Sequence, residues 1–353
     1  MNKKIMQNKK FQWAVIGAGP AGIAAVGKLL DHGVLPEDIL WLDPHFNVGD
    51  LGYFWRNVSS NTKVKLFKNF LFAVNSFYYQ DAPVDFKLNH LPEDETCTLG
   101  FVVEPLQWIT DHLLKKVQAV KTIVHAMSLS ERLWSLNSEK QTYYAKNVIL
   151  ATGASPSTLN YPGVNVIPFE IAIDKEKLSS VFHHEETYGV FGSSHSAIII
   201  LKHLVELGAK KIINFYRSPC CYAIEMDNWI LFDNTGLKGQ SAAWARENID
   251  GILPPNLVRY NVSEPNSARF LPECEHVIYA VGFEKRKTIV IGDYEYSQHN
   301  PYVGIIGPGL FGLGIAYPET KADSYGNVES QVGLWKFMVY LNKVMPIWFK
   351  YPA

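Results

Sequence analysis

Three glycines and one acid carry the clearest chemical signal in the chain. Gly17-Ala18-Gly19-Pro20-Ala21-Gly22 has the spacing G-x-G-x-x-G, and Asp43 follows about 20 residues later. Gly17 permits a tight turn. Gly19 presents bare backbone, so that a pyrophosphate can approach. Gly22 allows a helix to pack closely on a strand. A helix starting here would offer free N–H groups and a partial positive charge to phosphates. Asp43 is expected to accept hydrogen bonds from ribose hydroxyls. The chemistry implied is dinucleotide binding.

A second loop, Gly192-Ser193-Ser194-His195-Ser196-Ala197, departs from that pattern at two places. Ala197 still permits close helix packing, whereas Ser194 puts a side chain near the phosphates. His195 could reach a nicotinamide phosphate or simply be solvated. After the next strand, Arg217-Ser218 stand where an NAD site would carry an acid. A guanidinium pairs with phosphate bidentately. NADPH is therefore expected here, with NADH left open.

The elements that must position these residues are readable around them. Phe11–Ile16 reads as a buried strand, Ile23–Leu30 as a helix and Ile39–Leu42 as a second strand. Tyr188–Phe191, Ile198–Leu207 and Lys211–Tyr216 repeat the strand–helix–strand order around the second loop. Lys121–Ala145 looks like a small antiparallel meander with a turn at Asn137-Ser138. Asn147–Ala151 is a buried strand closing on Thr152-Gly153, and His276–Phe283 is another, carrying Gly282. Gly304–Ala316 is glycine-rich, and the last helix is expected from Gln331 onward. The stretch Leu334–Phe349 should pack as an amphipathic helix on the core.

The 353 residues are 47% hydrophobic and 19% charged, with a net charge of −1, enough for a large core and without the basic surplus of nucleic-acid binders. The four cysteines form no C-x-x-C pair and no zinc-like spacing, so Cys220-Cys221 read as two ordinary thiols and no metal is expected. The basic stretch Met1–Lys10 before an apolar run resembles a signal peptide, but the glycine spacing inside that run assigns it to the first loop. No apolar stretch reaches transmembrane length. A cytoplasmic protein is expected, with a homodimer allowed.

With both loops in place, the chain resembles the two-dinucleotide-binding-domain FAD/NAD(P) flavoproteins. Within that group it is most similar to flavin-containing monooxygenases and their amino-acid N-hydroxylase relatives. Gly49–Trp55 (GDLGYFW), followed by Ser59-Ser60-Asn61-Thr62, is similar to the family's flavin segment, and Ala280–Phe283 to its A-T-G-Y. The resemblance implies an α/β fold of two Rossmann-like domains, the NAD(P)H domain (158–283) inserted into the FAD domain (1–157 and 284–353). It implies that Trp55, Asn61 and Thr62 line the flavin side, and that Gly312, Gln331 and Val332 approach it from the last segment. Asn61 and Lys65 are candidates for polar contacts there.

The resemblance also implies a reaction. NADPH reduces FAD, oxygen forms a peroxyflavin, and a small nitrogen- or sulfur-containing substrate takes one oxygen atom. No catalytic acid or base stands out. The family's F-x-G-x-x-x-H fingerprint is missing from Phe169–Lys175, and that stretch has no cysteine either. Two other readings stay open: a flavin reductase without oxygen insertion or a redox disulfide, and a non-enzymatic nucleotide sensor. The segment Met226–Arg246 is expected to cover a substrate cleft.

Overall fold

The computed structural model describes residues 9–265 and 267–353. The first strand, β1 (Lys10–Ile16), lies inside a nine-stranded sheet. On one side it pairs in parallel with β2 (Ile39–Asp43), which pairs with β5 (Gln118–Lys121). On the other side it pairs in parallel with β8 (Thr142–Leu150). Strands covered on both faces read as continuous apolar runs, and β2 (ILWLD) is buried at every position.

The meander of the sequence reading is present: β6 (Val124–Ser130), β7 (Leu133–Ser138) and β8 pair antiparallel in turn. Two details differ from expectation. Glu131 and Arg132, both at positive φ, make the tight turn between β6 and β7, and Asn137-Ser138 end β7 instead of turning. The buried strand expected at Asn147 is the second half of β8. That strand trades β7 for β20 (Leu310–Gly312) along one edge, which joins the meander to the parallel part of the sheet.

Helices α1 (Pro20–Asp31), α3 (Val64–Phe72), α4 (Gly100–Leu114) and α9 (Leu334–Trp348) cover the face that carries Trp13 and Val15. The opposite face, with Ala14 and Ile16, packs under the meander. The C-terminal helix is bound to the core as expected. Trp348 is fully buried, stacks on Phe311 at 4.8 Å and donates its indole N–H to the Val303 carbonyl at 2.7 Å. The helix begins three residues after Gln331, which closes the hairpin β21 (Glu319–Ala322)–β22 (Val328–Gln331).

The second sheet has five strands, all parallel: β10 (Asn165–Val166), β16 (His276–Tyr279), β11 (Thr187–Phe191), β12 (Lys211–Tyr216) and β15 (Leu257–Asn261), in that spatial order. Helices α7 (His195–Glu206) and α8 (Gly239–Asn248) pack on it around a separate hydrophobic cluster. The chain passes between the sheets twice. Just beyond β8 and β16, the two passages pair antiparallel as β9 (Ala154–Pro156) and β17 (Phe283–Lys285). Among the described residues, no helix is long and apolar enough to cross a membrane.

Candidate functional site

Both loops lie where open α/β sheets bind ligands, beyond the C-terminal ends of parallel strands. In the first loop the Gly17 N–H donates to the Leu42 carbonyl at 2.8 Å. Gly17 has φ +110, and a Cβ there would lie 2.2 Å from the Ala151 carbonyl oxygen. A Cβ on Gly22 would lie 1.9 Å from the Gly17 oxygen. At Gly19 a Cβ would meet nothing nearer than the Val48 oxygen at 4.0 Å. Two glycines are thus demanded by packing, and the third keeps a surface bare. Helix α1 starts at Pro20, so Pro20, Ala21 and Gly22 form its first turn, and no side chain caps it.

Asp43 plays a larger part than expected. Its carboxylate is nearly buried and accepts three backbone N–H groups: Ala18 at 2.8 Å, His45 at 2.7 Å and Phe46 at 2.7 Å. It therefore ties the glycine loop to the segment after β2. That segment is strained, with Phe46, Val48 and Gly49 all at positive φ. A β-branched residue there is rare, and such strain clusters at ligand sites. A Cβ on Gly49 would lie 2.9 Å from the Gly19 Cα.

The second loop repeats the first closely. The Gly192 N–H donates to the Phe215 carbonyl at 2.9 Å, and a Cβ on Gly192, at φ +123, would lie 2.3 Å from the Ala280 oxygen. Ala151 and Ala280 thus play the same part at the ends of β8 and β16. Ser194 is the N-cap of α7, but its side chain makes no capping bond and is exposed. Arg217 is exposed just beyond β12, and Ser193 Oγ donates to the Ser218 carbonyl at 2.7 Å, holding loop and strand end together.

One residue stands elsewhere than expected. His195 is not a solvated loop histidine. Its Nδ1 lies 2.6 Å from Ser241 Oγ on α8, and its ring also bonds the backbone of Ser59, on β3 (Ser59–Lys63). Burial, against that bond to Ser59, pushes its imidazole below the ordinary range, with Lys238 adding to the effect. Gly282 follows β16. It lies in the passage back to the first sheet, and its carbonyl accepts the Ser157 N–H at 2.9 Å. Gly153 occupies the matching place in the outward passage and accepts the Arg286 N–H at 3.3 Å. Arg286 also donates to Asp50 Oδ2 at 2.7 Å and to Ser155 Oγ at 3.0 Å, bracing both passages against α2 (Gly49–Tyr53).

These features now meet the comparisons with known proteins. The family described as Pyridine nucleotide-disulphide oxidoreductase matches residues 14–291, which include both loops and both passages. The chain belongs to this family. Monooxygenase AgnR1 of Paecilomyces divaricatus is 33% identical over 387 aligned positions, covering 96% of this chain and 98% of that protein. Among solved structures, a flavin-containing monooxygenase from Stenotrophomonas maltophilia matches at 14% identity and TM-score 0.62, covering 97% of this chain and 99% of that one. The bacillithiol disulfide reductase of Staphylococcus aureus matches at 12% identity and TM-score 0.59, covering 96% and 99%. At those identities the structures speak for the fold alone.

The chain is thus an enzyme of two-domain flavoprotein type. Cys97, Cys220, Cys221 and Cys274 are all free. Trp55 stands at the junction of the two sheets' domains, edge-on to Phe169 at 5.6 Å and Phe283 at 6.3 Å. Asn61 and Thr62 lie on β3, part-buried, and Lys65 turns outward to Asp94 at 2.8 Å. Gly312 is in β20 against the Tyr317 ring, while Gly314 is the glycine that reaches Ala21, where its Cβ would come within 2.7 Å. Sequence reading missed Gly314 because its glycine-rich surroundings offer several equivalent candidates.

The segment before α8 makes a polar latch with the C-terminal region. Glu329 on β22 is nearly buried and accepts from Asn234 N and Thr235 N, each at 3.1 Å, and from both their side chains. Asn234 Oδ1 in turn accepts from Val332 N at 3.2 Å and Lys336 Nζ at 2.6 Å. Asp233 pairs with Lys238 and Lys336, which outweigh burial and hold its carboxyl below the usual range. Val332 therefore meets the 226–238 segment at Asn234, a junction that residue spacing did not announce.

Proposed function

We propose that the protein is an FAD-dependent monooxygenase that takes hydride from NADPH and places one atom of molecular oxygen on a small nitrogen- or sulfur-containing metabolite. The matched pair of glycine loops, hinged together in a chain 33% identical to a named monooxygenase, is the observation that carries this.

The first loop fits FAD. Gly19 is bare, α1 is uncapped, and the Thr152 hydroxyl is buried beside the loop with no hydrogen-bond partner. Gly17, Gly19, Pro20, Ala21 and Gly22 would hold the pyrophosphate. Asp43 has used three of roughly four acceptor positions and keeps one for a ribose hydroxyl. Thr152 and Gly153 would border the same crevice, whereas Gly312 is buried against the Tyr317 ring. Asn61, Thr62, Gln331 and Val332 would face the ring, with Trp55 behind them at the domain junction.

The second loop fits NADPH better than NADH. Tyr216 stands where the first unit has Asp43, so no acid opposes a 2′-phosphate, and the exposed Arg217 follows it. Gly192, Ser194, Ser196 and Ala197 would cradle the pyrophosphate. His195 acts from behind, tying the loop to β3 and α8, and Gly282 serves the hinge.

When bound, the flavin supplies the two-electron redox and oxygen chemistry. The protein binds, orients and keeps water out. The Trp55–Phe169–Phe283 cluster and the latched 226–238 segment are placed for that exclusion. We place the enzyme in the cytoplasm, where its four thiols stay reduced.

The test is rapid mixing of the NADPH-reduced, oxygen-free enzyme with oxygenated buffer, followed by flavin absorbance. A distinct oxygen-dependent transient before reoxidation, longer-lived when substrate is absent, is expected. Direct reoxidation with stoichiometric hydrogen peroxide, unchanged by a panel of amines and thioethers, would favour a reductase instead.

A further inference from the structure

The two loops share a tether that their sequences do not. The indole Nε1 of Trp41 donates to the Gly17 carbonyl oxygen at 2.9 Å. The amide Nδ2 of Asn214 donates to the Gly192 carbonyl oxygen at 2.8 Å. The two positions correspond. Gly17 N–H bonds to Leu42, the residue after Trp41, and Gly192 N–H bonds to Phe215, the residue after Asn214.

Both side chains are wholly buried. A buried amide in an apolar sheet is destabilising unless its bonds are made. Asn214 makes both of its donations and one acceptance: Nδ2 also donates to Val190 O at 2.9 Å, and Oδ1 accepts from Arg259 Nε at 2.8 Å. An arginine can only donate, so Arg259 decides which end of the amide faces the loop. Arg259 sits opposite Asn214 in the β12–β15 register, with its guanidinium 4.3 Å from the Tyr216 ring centre. Its Nη2 is buried without a hydrogen bond.

We propose that Trp41 and Asn214 are positioning residues that fix the peptide plane after the first glycine of each loop, and so set the course of the loop backbone that meets the phosphates of FAD and NADPH respectively. This rests on the cofactor assignments made above. A peptide is planar, so holding a carbonyl sets the direction of the next N–H: Ser193 in the second loop, and in the first Ala18, whose N–H is turned to Asp43 and is not itself a phosphate donor. Without a Cβ, Gly17 and Gly192 do not restrain that plane themselves. In the first loop Asp43 holds the same peptide from its N–H side.

Two substitutions separate the halves. Asn214→Asp keeps the side-chain size and the acceptor for Arg259 but removes both donations. Trp41→Phe removes the N–H and keeps an aromatic ring in the buried slot, leaving a small cavity. With FAD-loaded enzyme, Asn214→Asp should raise KM for NADPH roughly tenfold while kcat and FAD content stay near wild type. Trp41→Phe should weaken FAD binding by the apoprotein roughly tenfold and leave KM for NADPH unchanged at saturating FAD. Arg259→Met, which frees the amide to turn, should itself raise KM for NADPH roughly threefold or more at unchanged FAD content. That third variant keeps the Asn214 half testable if the aspartate form fails to fold. An unchanged KM beside a lowered thermal midpoint, or equal loss of both cofactors in either variant, would overturn the proposal. A wild-type flavin that neither NADPH nor NADH bleaches would instead overturn the nicotinamide assignment and the Asn214 half with it, leaving Trp41 to be judged on FAD alone.

Discussion

Gly19 and Gly22 stand three residues apart and should respond to the same methyl group in opposite ways. Gly22→Ala drives a Cβ into the Gly17 backbone oxygen, which has no side chain to move aside. Its cost should be at least the 1–3 kcal/mol typical of overpacking, seen as a lowered midpoint in urea unfolding of the apoprotein. Gly19→Ala meets open space, so the apoprotein should unfold near the wild-type midpoint while FAD retention falls sharply. A second residue-level prediction concerns acid stability. Burial, and then nearby Lys285, push the His299 imidazole down to about 4, from 6.5 in the open chain. Between those values the unfolded chain binds a proton that the folded one refuses. Stability should therefore fall as pH drops from 6.5 toward 4, with no loss at neutral pH. His299→Leu should flatten that part of the profile, as measured by unfolding at pH 7 and pH 5. The glycines were legible because turn and packing demands name a residue type. The inward turn of His195 was not, because its partners Ser59 and Ser241 are remote in the chain.

At the scale of elements, the latch makes the sharpest prediction. Glu329 alone gathers four hydrogen bonds from Asn234 and Thr235. Glu329→Ala would leave the half-buried Asn234 and the exposed Thr235 without that acceptor, a loss of about 1–3 kcal/mol. Limited proteolysis should then cut within residues 224–238, where the wild type should resist. The strands and helices around each loop were readable from apolar runs and glycine stops. The continuity of β8 was not, since Ala145-Lys146 looks like a boundary until β7 and β20 are seen to share one edge. The β6–β7 turn was missed because Glu131-Arg132 carry no glycine or asparagine to mark positive φ. The latch has no local pattern at all, because its two sides are about a hundred residues apart in sequence and only the tertiary fold brings them together.

At the scale of the molecule, two units of the same design face each other across a two-stranded hinge. In each, a first glycine packs on the alanine at the end of a parallel strand. This repeat is what made the fold readable from 353 residues without the cleft between the units being readable. The hinge is braced by Arg286, which touches Asp50, Ser155 and Gly153 at once. Arg286→Gln should leave FAD binding largely intact but slow flavin reduction by NADPH, by loosening the relative placement of the units. Stopped-flow reduction rates at saturating NADPH check this. The central claim, that one unit holds FAD and the other delivers hydride from NADPH to it, is tested most directly by anaerobic titration of the FAD-loaded protein with NADPH. The account predicts stoichiometric bleaching of the flavin, with NADH needed at much higher concentration. A flavin that stays oxidised with both nucleotides would contradict it.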